Sequence, residues 1–262
     1  MKIKKILWIP LIVIIFILLT VWVGYDHLEA HPENPVSCAL AEHFAKQYKE
    51  THFPDTNYEL SPVSYHEKDE CYYIFFTSPE SPDSNFYLGY DHIGVLKRNN
   101  YEALVENKGN IAIRLNNEYK DEVAKTIVSM PESIECRKFY CYGELQWRLT
   151  QPEGDSSHII IANQLEVDGT NDLATLGVKA GRIHIRVDLI SAEQATVQNM
   201  AVLLLHVRET LDKANLPFYM ISCTMRYPDG TFSKDLKLES FLYENITEEN
   251  LEAHLEAVIS YE

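Results

Sequence analysis

From Ile6 to Val23 the chain is apolar apart from Pro10 and Thr20, and Gly24 and Tyr25 extend the run without adding charge. About twenty helical residues at ~1.5 Å each span the ~30 Å hydrocarbon core of a bilayer. The pattern therefore predicts a membrane-spanning helix over 6–25. A helix buried in a soluble core would show a polar face, and this one shows none. Pro10 falls near its start, where a missing N–H does least harm. Trp8, Trp22 and Tyr25 lie towards its ends, where amphipathic rings favour the headgroup layer.

Past this run the pattern changes period. Residues 26–33 read as a polar tether, and even extended to Pro35 such a segment reaches at most ~33 Å. Val36, Leu40, Phe44 and Tyr48 then recur every four residues, predicting a helix from Pro35 to about His52, capped by Asn34. Strands follow at Tyr58–Tyr65, Cys71–Thr77 and Asn85–Tyr90, rich in Tyr, Phe, Ile and Val and separated by Pro, Ser and Asp. Leu104 to Met130 reads as a helix on the stripe Ile111, Leu115, Tyr119, Val123 and Ile127, ended by Pro131.

The second half reads as strands near 134–149 and His158–Leu165, then Arg182–Ile190, which alternates Ile183, Ile185, Val187, Leu189 against Arg182, His184, Arg186, Asp188. Such alternation means a sheet with one wet face. Ser191 and Gln194 suggest a capping box for a helix to about Ala214, with core stripe Val197, Met200, Leu204, Val207, Leu211 and Ala214. Strands Phe218–Tyr227 and Phe232–Tyr243 flank a Pro228-Asp229-Gly230 turn, and Thr247 is read as the cap of a last acidic helix. The expected fold class is α+β: an N-terminal transmembrane helix, then two small α+β domains over 34–131 and 132–262.

Charge sets the orientation. Lys2, Lys4 and Lys5 precede the apolar run, while Asp26, Glu29 and Glu33 follow it, which places the N-terminus in the cytoplasm and the rest outside. The 262 residues carry a formal charge of −16. Leaving out the three flanking lysines, 20 basic residues face 39 acidic ones, so the outer portion carries −19. That acidity excludes nucleic acid as the expected partner. The Val-Gly-Tyr-Asp-His-Leu-Glu-Ala stretch offers no small-x-small cleavage site, and Cys38 lies too far beyond the run, behind Pro35, for a lipobox. An uncleaved signal anchor is the expectation, with the lipid bilayer as the partner of Ile6–Tyr25. The five-residue cytoplasmic tail is too short to house a domain.

Several features together carry a family resemblance. They are the basic start and single anchor, Asn34-Pro35-Val36-Ser37 opening a helix, Tyr72-Tyr73 in a strand, Ser81-Pro82-Asp83 before Phe86, Gly89-Tyr90-Asp91 before a turn, Leu176-Gly177, and Gly181-Arg182-Ile183. In these the chain resembles the YfjL-like family of membrane-anchored proteins from Gram-positive bacteria. The resemblance implies topology and location and supplies no catalytic residue. At fold level the first domain is also similar to cystatin-like or PepSY-like modules.

Candidate chemistry is sparse. Cys38, Cys71, Cys136, Cys141 and Cys223 are odd in number, so one at least is unpaired within the chain. Cys136 and Cys141 could close a local disulfide if Arg-Lys-Phe-Tyr between them formed a turn. As a zinc half-site they lack a second pair. Cys223 alternates with Ile221 and Met225 and reads as a buried thiol. His27 and His31 have i, i+4 spacing but precede no third ligand and read as solvated linker histidines. Cys38 and His43 share one helix, a poor arrangement for a nucleophile pair. Glu249, Glu252 and Glu256 read as a solvated helix face. The Asn245-Ile246-Thr247 sequon has no role in a bacterial host. No catalytic, cofactor-binding or metal residue is assigned.

The sixteen tyrosines are the remaining feature: Tyr72, Tyr73, Tyr87, Tyr90, Tyr140, Tyr142 and Tyr243 fall in or beside predicted strands. They suit a half-buried pleat and equally a binding surface. The leading expectation is a non-enzymatic extracytoplasmic module that binds an envelope protein or component through an exposed aromatic patch. The alternative is an extracytoplasmic enzyme or metal-dependent hydrolase with a site between the two domains.

Overall fold

The computed structural model describes residues 14–16, 34–154, 156–167, 169, 171–228 and 235–261. Most of the predicted anchor over 6–25, the tether with His27 and His31, and the turn at Asp229-Gly230 lie outside the described residues. Among the described residues no helix is long and apolar enough to cross a membrane. What they form is a mixed α+β structure in two units, divided between Glu106 and Asn107.

In the first unit helix α1 (Pro35–His52) begins at Asn34, whose side chain accepts from the backbone N–H groups of Val36 and Ser37. It packs on an antiparallel sheet of β1 (Glu59–Leu60), β2 (Ser64–His66), β3 (Cys71–Thr77), β4 (Phe86–Tyr90) and β5 (Leu96–Asn99). The strand expected over Tyr58–Tyr65 is in fact two short ones, both paired to β3, because Pro62 cannot donate to a ladder. The residues of α1 buried under the sheet are Ser37, Ala41 and Ala45, one position off the expected stripe. Small side chains are needed there because the sheet fills the space with Tyr72, Phe76, Phe86 and Tyr90.

The β4–β5 turn is held by Asp91. Its carboxylate accepts from the N–H groups of Ile93 (3.1 Å) and Val95 (2.8 Å) and pairs with Lys97 at 3.4 Å, while Gly94 supplies a φ of +82°. Burial opposes the charge, but the bonds from Val95, Ile93 and Lys97 outweigh it and hold the carboxyl below its usual range. A carboxyl depressed on folding stabilises above its unfolded value of about 3.9 and loses that contribution as pH falls through the folded value. Part of the acid destabilisation below about pH 4 is thus expected to vanish in Asp91→Asn, measured by urea unfolding across pH 2–6.

The first unit ends in a single wide helical turn, Glu102–Glu106, and in the second unit left-handed Lys108 (φ +57°) precedes α2 (Gly109–Thr126). The single helix expected over 104–130 is therefore shorter, and it belongs to the second unit rather than closing the first. Ile111, Leu115, Tyr119 and Val123 pack into the second core, not under the first sheet. The sheet of the second unit orders β12 (Ser260–Tyr261), β11 (Leu236–Leu242), β10 (Met220–Arg226), β9 (Gly181–Leu189) and β6 (Cys136–Leu145). All neighbours are antiparallel except β9 and β10, which run parallel and are joined by α4 (Val197–Lys213). A small parallel pair, β7 (Trp147–Arg148) and β8 (Ile160–Ile161), stands apart, and α3 (Leu173–Ala180) leads into β9. A last helix, α5, covers Leu251–Val258.

Two capping expectations are corrected. Ser191 caps only a single 3-10 turn, and α4 starts later, on Thr196, which bonds the N–H of Asn199. Thr247 does not cap α5; left-handed Asn250 occupies that position. The continuous strand β6 also settles the cysteine pair. Five extended steps along the chain carry Cys141 roughly 16 Å from Cys136, beyond the ~7 Å between Cα atoms that a disulfide allows. Both thiols are free, and Cys136 lies against Met130 Sδ at 3.4 Å.

Candidate functional site: the open face of the second sheet

Alternation along β9 buries Ile183, Ile185, Val187 and Leu189 and turns Arg182, His184, Arg186 and Asp188 outward. The same alternation on β10 turns out Ser222, Thr224 and Arg226, and on β6 Tyr140, Tyr142 and Glu144. Register then lines these residues up in rows. Tyr142 lies opposite His184, Tyr140 opposite Arg186, and Lys138 opposite Asp188. Ser222, Thr224 and Arg226 continue those three rows on β10.

Within the rows the side chains hold one another. The Tyr142 and His184 rings stack at 4.8 Å and 15°, and His184 Nε2 lies 3.2 Å from Glu144 Oε1. Arg186 sits over the Tyr140 ring at 5.3 Å and donates to both oxygens of Asp188 through Nε and Nη2, at 3.1 and 3.3 Å. Arg226 approaches Asp188 at 3.9 Å and Asp235 at 3.8 Å. Between the rows lies a shallow basin of about 430 Å³ lined by Tyr140, Tyr142, His184, Arg186, Ser222 and Thr224. The two tyrosines keep 46% and 44% of their surface in water, so fixed aromatic area faces outward beside a guanidinium.

The face differs in charge from its chain. Lys138, Arg182, Arg186, Arg226 and Lys237 outnumber the carboxylates of Glu144, Asp188, Asp235 and Glu239 by one, while the chain as a whole carries −16. Chemically the arrangement suits recognition. Ser222, His184 and Glu144 neighbour each other across three strands, but they form no relay: Ser222 Oγ accepts the Ser240 N–H at 3.2 Å, and no hydrogen bond joins Ser222 to His184.

The tyrosines divide by environment. Tyr72 and Tyr90 are core residues; Tyr73 and Tyr87 meet edge to face at 5.1 Å on the first sheet's outer side. Tyr243 donates to the Asp212 carboxylate and lies under Arg208 at 4.3 Å. Among the described tyrosines only Tyr140 and Tyr142 are largely exposed, the first under Arg186 and the second on His184. His184 and Arg186 had been visible in the sequence as the wet face of β9. Their pairing with Tyr142 and Tyr140 had no local signal, because register with β6 spans about forty residues.

The larger hollow, about 750 Å³ in the first unit, is lined by residues that include Asp69, Cys71, Asp91, His92, Lys97 and Arg98. Burial pushes the Cys71 thiol up, only partly offset by Arg98, so it is held as the neutral thiol. Burial and a hydrogen bond to Asp69 push Tyr73 nearby up to about 12, so its hydroxyl stays a donor. Burial likewise raises Cys141 and Cys223 to about 12. Among the described residues no group of three or more His, Cys, Asp or Glu side chains is placed to hold a metal ion. No protein-family model matches the chain, and no curated protein and no solved structure matches it either.

Proposed function

We propose that the chain is a single-pass membrane protein, anchored by Ile6–Tyr25 with its C-terminal units outside the cell, and that it works as a non-enzymatic binding module at the envelope. The open face of the second sheet is its binding surface. One observation carries this reading: two exposed tyrosines held in place by a histidine and a bidentate arginine, on a face where cations outnumber carboxylates by one although the chain as a whole is acidic. Aromatic and arginine side chains of this kind dominate binding energy at protein interfaces. The apolar run and its lysine flank support the anchor, and the resemblance to the YfjL-like family supports the same topology. In this reading the first unit, a helix across an antiparallel sheet, is a cystatin-like or PepSY-like module.

The test is photo-crosslinking in the native host from positions 140 and 142 of the full-length protein. A discrete adduct with one envelope component is expected, absent when the probe sits at exposed Val178 on α3. Arg186→Ala should weaken that complex by about tenfold or more, some 1.4 kcal/mol, without lowering the thermal midpoint. Equal labelling from Val178, or an unchanged affinity in Arg186→Ala, would remove the face from consideration.

A further inference from the structure

The apolar stripe of α1 runs past its own core. Val36 and Leu40 share the four-residue spacing of Phe44 and Tyr48, yet neither joins the buried cluster beneath the sheet, and Val36 is 55% exposed. Leu40 borders the β4–β5 turn, and Val36 precedes Ser37, which is bonded to it. Ser37 Oγ donates to the His92 carbonyl at 2.8 Å, and a Cβ on Gly94 would meet Phe44 and Leu40. The turn itself turns Ile93, Val95 and Leu96 outward, at 52%, 48% and 39% exposure.

These side chains are presented rather than frayed, since Asp91 fixes the turn through the N–H groups of Ile93 and Val95. Two exposed cations follow directly on β5, Arg98 and Lys97, the latter paired with Asp91 at 3.4 Å. Aliphatic side chains beside cations match the outer layer of a bilayer, where acyl chains lie just beneath phosphates. The position of the patch selects that occupant over others. The chain beyond the described residues rejoins the fold at Asn34, the cap of α1, two residues before Val36. A tether of at most ~33 Å keeps this end of the unit near the surface that holds the anchor.

We propose that the β4–β5 turn, with Val36, docks on the outer leaflet: Ile93, Val95 and Leu96 enter the interface while Lys97 and Arg98 meet lipid phosphates. The inference rests on the anchor reading above, and it adds a second contact with the membrane that the acidity of the chain as a whole would not suggest.

The test uses the full chain in vesicles of phosphatidylglycerol and phosphatidylcholine, with a benzophenone amino acid placed singly at 93, 95, 14 or 128. Position 14 reports on the anchor. Val128, 77% exposed in the second unit, reports on chance encounters. Lipid adducts at 93 and 95 several-fold above those at 128 are the expected result. Labelling at 93 and 95 no greater than at 128, with lipid captured at 14, overturns the docking turn and leaves the anchor standing. No lipid at 14 overturns the anchor reading instead, and the turn is then judged by 93 against 128 alone. Capture of a second copy of the chain at 93, in place of lipid, also overturns the proposal.

Discussion

Gly177→Ala is expected to cost the second unit about 3 kcal/mol or more, at the upper end of overpacking effects. Gly177 lies inside α3, where its backbone conformation would suit alanine. The obstacle is space. A Cβ there would stand 2.1 Å from the Pro217 carbonyl oxygen and 3.2 Å from Tyr119 Cε2. The first neighbour is backbone at the entry to β10 and cannot rotate away. The second is a fully buried ring whose hydroxyl donates to that same carbonyl at 3.1 Å. Relief therefore means moving α3, with Gly181 and β9 behind it. Against a typical total of roughly 5–15 kcal/mol, such a loss is a large part of the stability. Trp147, packed against this core, reports the unfolding, and an unchanged midpoint of its fluorescence transition would refute the account.

A comparable loss, about 3–5 kcal/mol, is expected for Phe86→Ala in the first unit. Phe86 stacks on its cross-strand partner Phe76 at 4.4 Å and meets Tyr58 and Tyr101 edge to face at 5.3 and 5.0 Å. Phe53 closes the cluster at 5.4 Å. Truncation leaves a cavity among rings that cannot collapse into it, because each is fixed by the next. For a domain of this size each kcal/mol moves the melting point by about 4–8 °C. The near-UV dichroism of Tyr58 and Tyr101 follows the change. Phe86→Leu keeps most of the volume and should cost under about 1.5 kcal/mol, so the two variants separate cavity from contact.

Local patterns foretold much of this architecture. The alternation of β9, the run of α1, strands β3 and β4, and the stripe Ile111 to Ile127 all lie where the sequence places them, since each depends on the period of the chain's own backbone. Partnership did not show in the same way. The sequence pattern alone places α2 in the first unit because its stripe suits any apolar surface; Gly143, which admits Val123 and Tyr119 against β6, lies some twenty residues away. α3 went unseen because eight residues give too little periodicity, although Asp172 caps it through the N–H groups of Ala174 and Thr175. The shift of α1's buried face to Ser37, Ala41 and Ala45 reflects the bulk of the opposing sheet, which a helix's own sequence does not record. In the candidate site the outward residues of β9 were legible, while the stacking of Tyr142 on His184 arises only once β6 and β9 are in register.

The one parallel pairing in the second sheet bears on how the molecule comes together in time. Strands of the first unit pair with neighbours close by in sequence, through connections of about ten residues or fewer, and such contacts close early. β9 and β10 cannot meet until α4 has folded back between them, carrying the chain from Leu189 to Met220. β6 can join β9 only after some forty residues are gathered in. The second unit is thus the slow step of assembly. Until it is complete, the pairing edge of β9, with its four aliphatic residues, stays open to other chains.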